Sequence, residues 1–106
     1  IGPDVSIILG GNHRYDWITT SQLPAETFQA YEKFPKAKNI KNFIYSKGDI
    51  VIGNDVWIGA KSLVCPGVKI YSHAVLTAGS IATNDLQSYS IYQGNPAVKI
   101  KDRVIN

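Results

Sequence analysis

The chain is short of the residues that staple a fold or carry it across a membrane. It has a single cysteine, Cys65, and no methionine. No internal disulfide can form, and a reducing compartment, the cytoplasm, is the simpler setting. Histidine is almost as scarce, with only His13 and His73. Two imidazoles cannot by themselves complete a three-histidine zinc site, so the sequence predicts no metal. No run approaches the ~20 consecutive apolar residues of a membrane-spanning helix. The charge excess is slight, a net +3, with cations gathered in Lys33–Lys41 and Lys99–Arg103. That balance favours an anionic small molecule and is too weak to argue for nucleic acid. At 106 residues there is material for one small domain.

What the chain does have is a repeat. Residues 51–86 divide into six hexads, beginning at Val51, Trp57, Leu63, Lys69, Val75 and Ile81. The second place of each holds Ile52, Ile58, Val64, Ile70, Leu76 and Ala82. Four places later come Val56, Ser62, Val68, Ala74 and Ser80, small enough for a corner, with only Leu86 oversized. A period of 6 fits neither an α-helix nor an ordinary strand, and is the pattern of a hexapeptide β-helix. Large aliphatics fill the interior of such a solenoid. Gly53, Asn54, Asp55, Gly59, Gly67 and Asn84 supply turn chemistry. The pattern resembles the left-handed β-helix of the hexapeptide acyltransferases, where three hexads make a coil, which would stack Ile52 on Ile70 and Ile58 on Leu76.

Outside that stretch the frame is interrupted. Ile1 and Ile7 occupy large positions, and Val5 and Gly11 occupy corner positions, before the frame stops at Asn12-His13. Because the chain opens already in frame, further coils are expected upstream of it. Residues 14–48 carry no hexad and read as a long excursion, a kind usually functional in a compact domain. Within it, 24–34 has helix character, with Pro24 in the first turn, Phe28 and Tyr31 on one face, and Pro35 as the stop. After Leu86 the frame ends, and 87–106 reads as a C-terminal extension, turning at Gly94-Asn95-Pro96-Ala97. If that extension is a strand, Lys99, Lys101 and Arg103 fall on one side of it.

His13 is the foremost candidate for chemistry. It stands where the frame breaks, and an imidazole titrating near neutrality can take a proton from an alcohol. On the residues alone, a histidine stacked inside the coil is an equal reading. His73 falls at an outward hexad position and reads as surface. Cys65 sits at an ordinary repeat position before Pro66 and reads as filler. Trp57, one place before the inward Ile58, should point outward and offer an indole to a ligand or partner.

Two strings carry a family resemblance. Gly10-Gly-Asn-His-Arg-Tyr-Asp-Trp17, followed by Gly48-Asp-Ile-Val-Ile-Gly-Asn-Asp-Val-Trp-Ile-Gly59, resembles the xenobiotic branch of the hexapeptide acyltransferases. That branch includes chloramphenicol and streptogramin acetyltransferases and closely similar sugar or polysaccharide O-acetyltransferases. The resemblance implies an all-β, left-handed parallel β-helix over 1–106, with a loop excursion bearing a short helix, assembling as a homotrimer. It implies acetyl-CoA as co-substrate and His13 as the catalytic base. Trp57 would border the active-site tunnel, and Ala60 and Ala78, stacked eighteen apart, would meet the pantetheine arm. Thr83 and Asn84 match a family Thr-Lys pair near the pyrophosphate, with Asn84 in place of the lysine. Lys101 matches a cation on the nucleotide end, and Lys99 or Arg103 could supply what Asn84 does not. Asn12, Tyr15, Asp16 and Trp17 would face the acceptor.

The string from Asp16 to Thr20 resembles the sugar enzymes slightly more than the antibiotic ones, so a sugar or polysaccharide hydroxyl is the expected acceptor. The alternative is a chloramphenicol- or streptogramin-type acceptor. Rivals of another class are a metalloenzyme on the same scaffold and a non-catalytic trimeric solenoid. Adhesion by a flat solenoid face would need regular Thr or aromatic ladders, which the hexads lack.

Overall fold

In the computed structural model the described residues are 1–10 and 47–105. They form nine strands and no helix: β1 (Ser6–Ile7), β2 (Val51–Ile52), β3 (Trp57–Ile58), β4 (Leu63–Val64), β5 (Lys69–Ile70), β6 (Val75–Leu76), β7 (Ile81–Ala82), β8 (Ser90–Gly94) and β9 (Ala97–Asp102). The helix expected over 24–34 lies outside the described residues, as does the rest of the excursion between 11 and 46.

The strands sort into three parallel sheets, β1-β4-β7, β2-β5 and β3-β6-β8, with β9 added to the last. Successive strands step from one sheet to the next, so each sheet is one face of a coiled prism. The spacing of eighteen holds: Ile52 pairs with Ile70, Ile58 with Leu76, and Leu63 with Ile81. Backbone bonds continue each ladder, as in Gly53 N to Ile70 O at 2.8 Å and Gly59 N to Leu76 O at 2.8 Å. Ile7 pairs with Val64, and Gly2 N donates to Ile58 O. The first residues therefore rejoin the stack in frame, with 57 residues separating Ile7 from Val64 where 18 separate an ordinary pair.

Both inward rows fill the axis. Ile58, Val64, Ile70, Leu76 and Ala82 are at most 1% exposed, and Val68, Ala74, Ser62 and Ser80 lie with them. Each fully buried aliphatic contributes ~1.5–3 kcal/mol. The two buried serines keep their hydroxyls satisfied: Ser62 donates to Thr77 O at 3.0 Å, and Ser80 shares a 2.8 Å bond with Thr77 Oγ1.

The corners use backbone that side chains rarely adopt. Asp55, Lys61, Gly67, His73 and Gly79, six apart, all have φ between 52° and 78°. Gly53 and Gly59 serve a different need, since neither has positive φ. A Cβ at Gly53 would lie 2.7 Å from Ser72 N, and one at Gly59 would overlap the backbone of Ala78. Coils pack too tightly there for a side chain.

The end of the repeat differs from the sequence reading. Leu86 is not a corner residue: it bridges Ile70 on the interior of a face, sixteen residues on rather than eighteen. It is large because that place is an inward one. The coil has been shortened by two residues, and β8 keeps the new spacing, with Ile91 on Val75 and Tyr92 on Leu76. The solenoid thus runs on to Gly94, and β9, which turns back antiparallel on β8, lies outside it. Gly94 N donates to Ser80 Oγ at 3.1 Å and ties the hairpin turn to the coil.

Candidate functional site

His13, Asn12, Tyr15, Asp16 and Trp17 lie outside the described residues. The cofactor candidates fall within them, and the structure distributes them over three places.

The first is the β3 face and the corner after it. Trp57 is 66% exposed and aligned with Val75, which is aligned with Ile91. These three side chains make an outward apolar row across the coils. Beyond the face, Gly79 N donates to Ala60 O at 2.9 Å, which sets Ala60 and Ala78 at equivalent corner positions in adjacent coils. Ala78 is exposed and Ala60 half-buried. With only methyl groups above the backbone, an extended chain can approach the peptide groups of this corner closely.

The second place is the next corner round. Thr83 and Asn84 line an open groove of about 540 Å³ with Lys47, Pro66, Gly67, Val68 and Asp85. Here Gly67 is required twice over. Its φ is +78°, and a Cβ would fall 2.9 Å from the Lys47 Cβ. The glycine lets the returning chain seat Lys47 beside Thr83 and Asn84. Asp85 is partly spoken for, since its Oδ1 accepts a 2.9 Å bond from Lys69 N. A hydroxyl, a carboxamide and an ammonium on one groove suit a polyanion. Lys47 is thus a cation that sequence reasoning missed. Its signal was the glycine pattern, since Gly67 at a corner position made room for whatever stacked on it.

The third place is the hairpin. Lys99 and Lys101 do not share a face as the alternation implied. A bulge between Ile91 and Tyr92 sets Lys101 opposite Ile91 and Lys99 opposite Tyr92. Those two neighbours alternate across the sheet, so the extra residue in β9 breaks the expected row. Lys99 is held by Asp102, which raises its pKa above the ordinary lysine value. Lys101 has no ion pair among the described residues. Arg103 is committed inward, donating from its guanidinium to His73 O at 2.9 Å and lying 3.9 Å from Asp55 Oδ2.

His73 is more than surface. Its Nδ1 lies 2.8 Å from Asp55 Oδ2, and its ring stacks on Tyr89 at 4.7 Å and 15°. The carboxylate can only accept, so the Nδ1–H donates. That bond holds the Asp55 carboxyl below the usual carboxylate range against the opposing effect of desolvation, which is next in size, with lesser help from the charges of His73 and Arg103. Cys65 is half-buried and free. Among the described residues no three His, Cys, Asp or Glu side chains converge on a metal-sized site, and no helix is long and apolar enough to cross a membrane.

No family model matches the chain. Individual proteins do. A chloramphenicol acetyltransferase of Klebsiella aerogenes is 43% identical over 105 residues, covering 97% of this chain and 48% of that protein. A probable macrolide acetyltransferase of Lysinibacillus sphaericus is 45% identical over 98 residues, covering 92% of this chain and 52% of that one. Among solved structures, a galactoside acetyltransferase in complex with coenzyme A aligns with 96% of this chain and 40% of its own, at a TM-score of 0.64 and 28% identity. The chain spans about half the length of the curated relatives it matches. By sequence along nearly all of its length, and by the stacked hexads that fold it, the chain matches about half the length of proteins that are hexapeptide-repeat acetyltransferases, chloramphenicol acetyltransferases among them.

Proposed function

We propose that the chain is the core of an acetyl-CoA-dependent O-acetyltransferase with His13 as general base. The observation that carries the reading is the Asn12-His13 string standing where the hexad frame breaks, ahead of a solenoid similar to acetyltransferases over 97% of the chain. In this mechanism the imidazole of His13 removes the acceptor hydroxyl proton as the oxygen attacks the thioester carbonyl. Backbone N–H groups hold the tetrahedral oxyanion. The C–S bond then breaks, and the imidazolium returns the proton to the departing thiolate. Asn12, Tyr15, Asp16 and Trp17 are the residues assigned to the acceptor.

The donor lies with its pantetheine arm along Ala60 and Ala78 beside Trp57, and its phosphates reach Thr83, Asn84 and Lys47, with Lys101 at the nucleotide end. Those groups occupy separate corners of one chain, so they would serve one donor molecule only across a boundary between copies. A homotrimer, with the donor in the cleft between neighbours, is therefore part of the proposal.

Two acceptors are in contention. The string from Asp16 to Thr20 favours a sugar hydroxyl, and a galactoside acetyltransferase shares the fold. The identity to chloramphenicol and macrolide acetyltransferases favours a hydroxyl-bearing antibiotic. Higher identity over most of the chain makes the antibiotic the stronger reading.

Calorimetric titration with acetyl-CoA, run beside His13→Ala, tests the proposal. Binding retained in a folded His13→Ala protein, with turnover of chloramphenicol or a sugar down by at least ~10²-fold, supports it. Near-full turnover in that variant excludes His13 as the base. Absence of acetyl-CoA binding in both proteins leaves a non-catalytic solenoid as the better description.

A further inference from the structure

Asp55, His73 and Tyr89 occupy one corner in three successive coils. His73 N donates to Asn54 O, which sets Asp55 and His73 in register, and the shortened spacing of sixteen sets Tyr89 on His73. All three have left-handed backbone, with φ of 52°, 68° and 56°. At the other corners the same conformation is met by glycine, at Gly67 and Gly79, as well as by Asp4 and Lys61. Holding a side chain in that region costs on the order of 1–2 kcal/mol per residue. Three such residues in one column need a reason beyond turning the chain, and their side chains supply one. The carboxylate of Asp55 accepts from the imidazole, the imidazole stacks on the phenol, and the guanidinium of Arg103 reaches back to His73 O. Arg103 follows β9 directly, and its own N–H donates to Tyr89 O at 2.7 Å.

We propose that Asp55, His73, Tyr89 and Arg103 form a clasp that positions β9, and with it Lys101, for the nucleotide end of the donor. This rests on the acetyl-CoA reading above. None of the four need touch the donor. They are positioning residues, and Arg103 is withdrawn from phosphate contact by its bonds to His73 and Asp55. The clasp is needed because β9 is an edge strand whose residues from Val98 to Asp102 are all exposed. The β8 ladder and the Gly94–Ser80 bond fix the start of the hairpin, and the clasp fixes its far end.

The test uses the purified chain with His73→Ala, Arg103→Gln, Arg103→Lys and the double variant of His73→Ala with Arg103→Gln. Amide exchange should quicken across 97–102 in His73→Ala while 57–76 stay protected. The Kd for coenzyme A should rise about 5–10-fold in His73→Ala and in Arg103→Gln. The Kd for pantetheine, which lacks the nucleotide, should not move. Arg103→Lys, which can still donate to His73 O, should recover part of the affinity. The double variant should be no weaker than Arg103→Gln alone, because both changes open one clasp. Unchanged exchange on β9 in His73→Ala overturns the clasp. Loosened β9 with unchanged coenzyme A affinity overturns its role in donor binding, and so does additivity, which would mean that Arg103 meets phosphate directly. A wild-type chain with no affinity for coenzyme A sinks the acetyl-CoA reading and the donor role together, while the exchange result still decides whether the clasp holds β9.

Discussion

His73 Nδ1 donates across 2.8 Å to Asp55 Oδ2, linking the same corner of two adjacent coils. Because that bond lowers the folded-state pKa of Asp55, the ionised carboxylate stabilises the fold above the usual carboxylate range. The contribution is lost as pH falls through the depressed value. Asp55→Asn keeps an acceptor oxygen and removes the charge. Its melting temperature should lie below that of the unchanged protein at neutral pH, and the gap should narrow as the pH falls below the usual carboxylate range. A gap that stays constant over that range would mean the charge contributes nothing.

Leu86 offers a sharper test of the fold. The hexad count calls for a small residue there, whereas the structure buries it to 1% exposure above Ile70. Leu86→Ser should therefore cost about 2–5 kcal/mol in urea unfolding, the range for emptying a packed aliphatic site. A change below ~1 kcal/mol would restore the corner reading.

Gly59→Ala probes the packing between coils. The added methyl meets the backbone of Ala78, which no rotamer change relieves. The expected loss is about 2 kcal/mol or more, although alanine is usually the milder residue in a chain. Equal stability would show that the coils can separate at that corner.

Lys47→Ala addresses the groove beside Thr83 and Asn84. Removing the cation should weaken coenzyme A binding several-fold and flatten its dependence on salt, while leaving melting temperature within a degree or two, since Lys47 is exposed. Affinity that is indifferent to Lys47 at low salt would place the phosphates elsewhere.

Much of this architecture could be read from the order of residues. A large aliphatic every six places is hard to satisfy by accident, and with the three-hexad coil that the resemblance implies, Ile52 falls on Ile70 and Ile58 on Leu76. The two-residue shortening before Leu86 was not legible, because a lost pair leaves no marker and Leu86 merely looks oversized for its slot. The same slip hid the corner column: counting by six pairs Asp55 with His73 but steps past Tyr89. On sequence Arg103 is one more cation able to supply what Asn84 does not, because nothing local ties it. Its partners are a carbonyl thirty residues back and a carboxylate further still. Long-range polar contacts of this kind depend on how the coils stack, which composition and spacing do not encode. Lys47 shows the reverse, a site residue whose importance appears only once Gly67 is seen to make room for it.

The pairing of Ile7 with Val64 carries an evolutionary corollary. Between them runs a stretch 39 residues longer than an ordinary coil, yet the hydrogen-bond ladder resumes in frame on its far side. The entropic cost of closing such an interval grows only logarithmically, by ~0.6 kcal/mol for each doubling. The ladder is therefore nearly indifferent to the length and content of what is spliced in. Selection can rewrite the inserted part of the interval, the Asn12-His13 string apart, while the repeats on either side keep the stacking they already have.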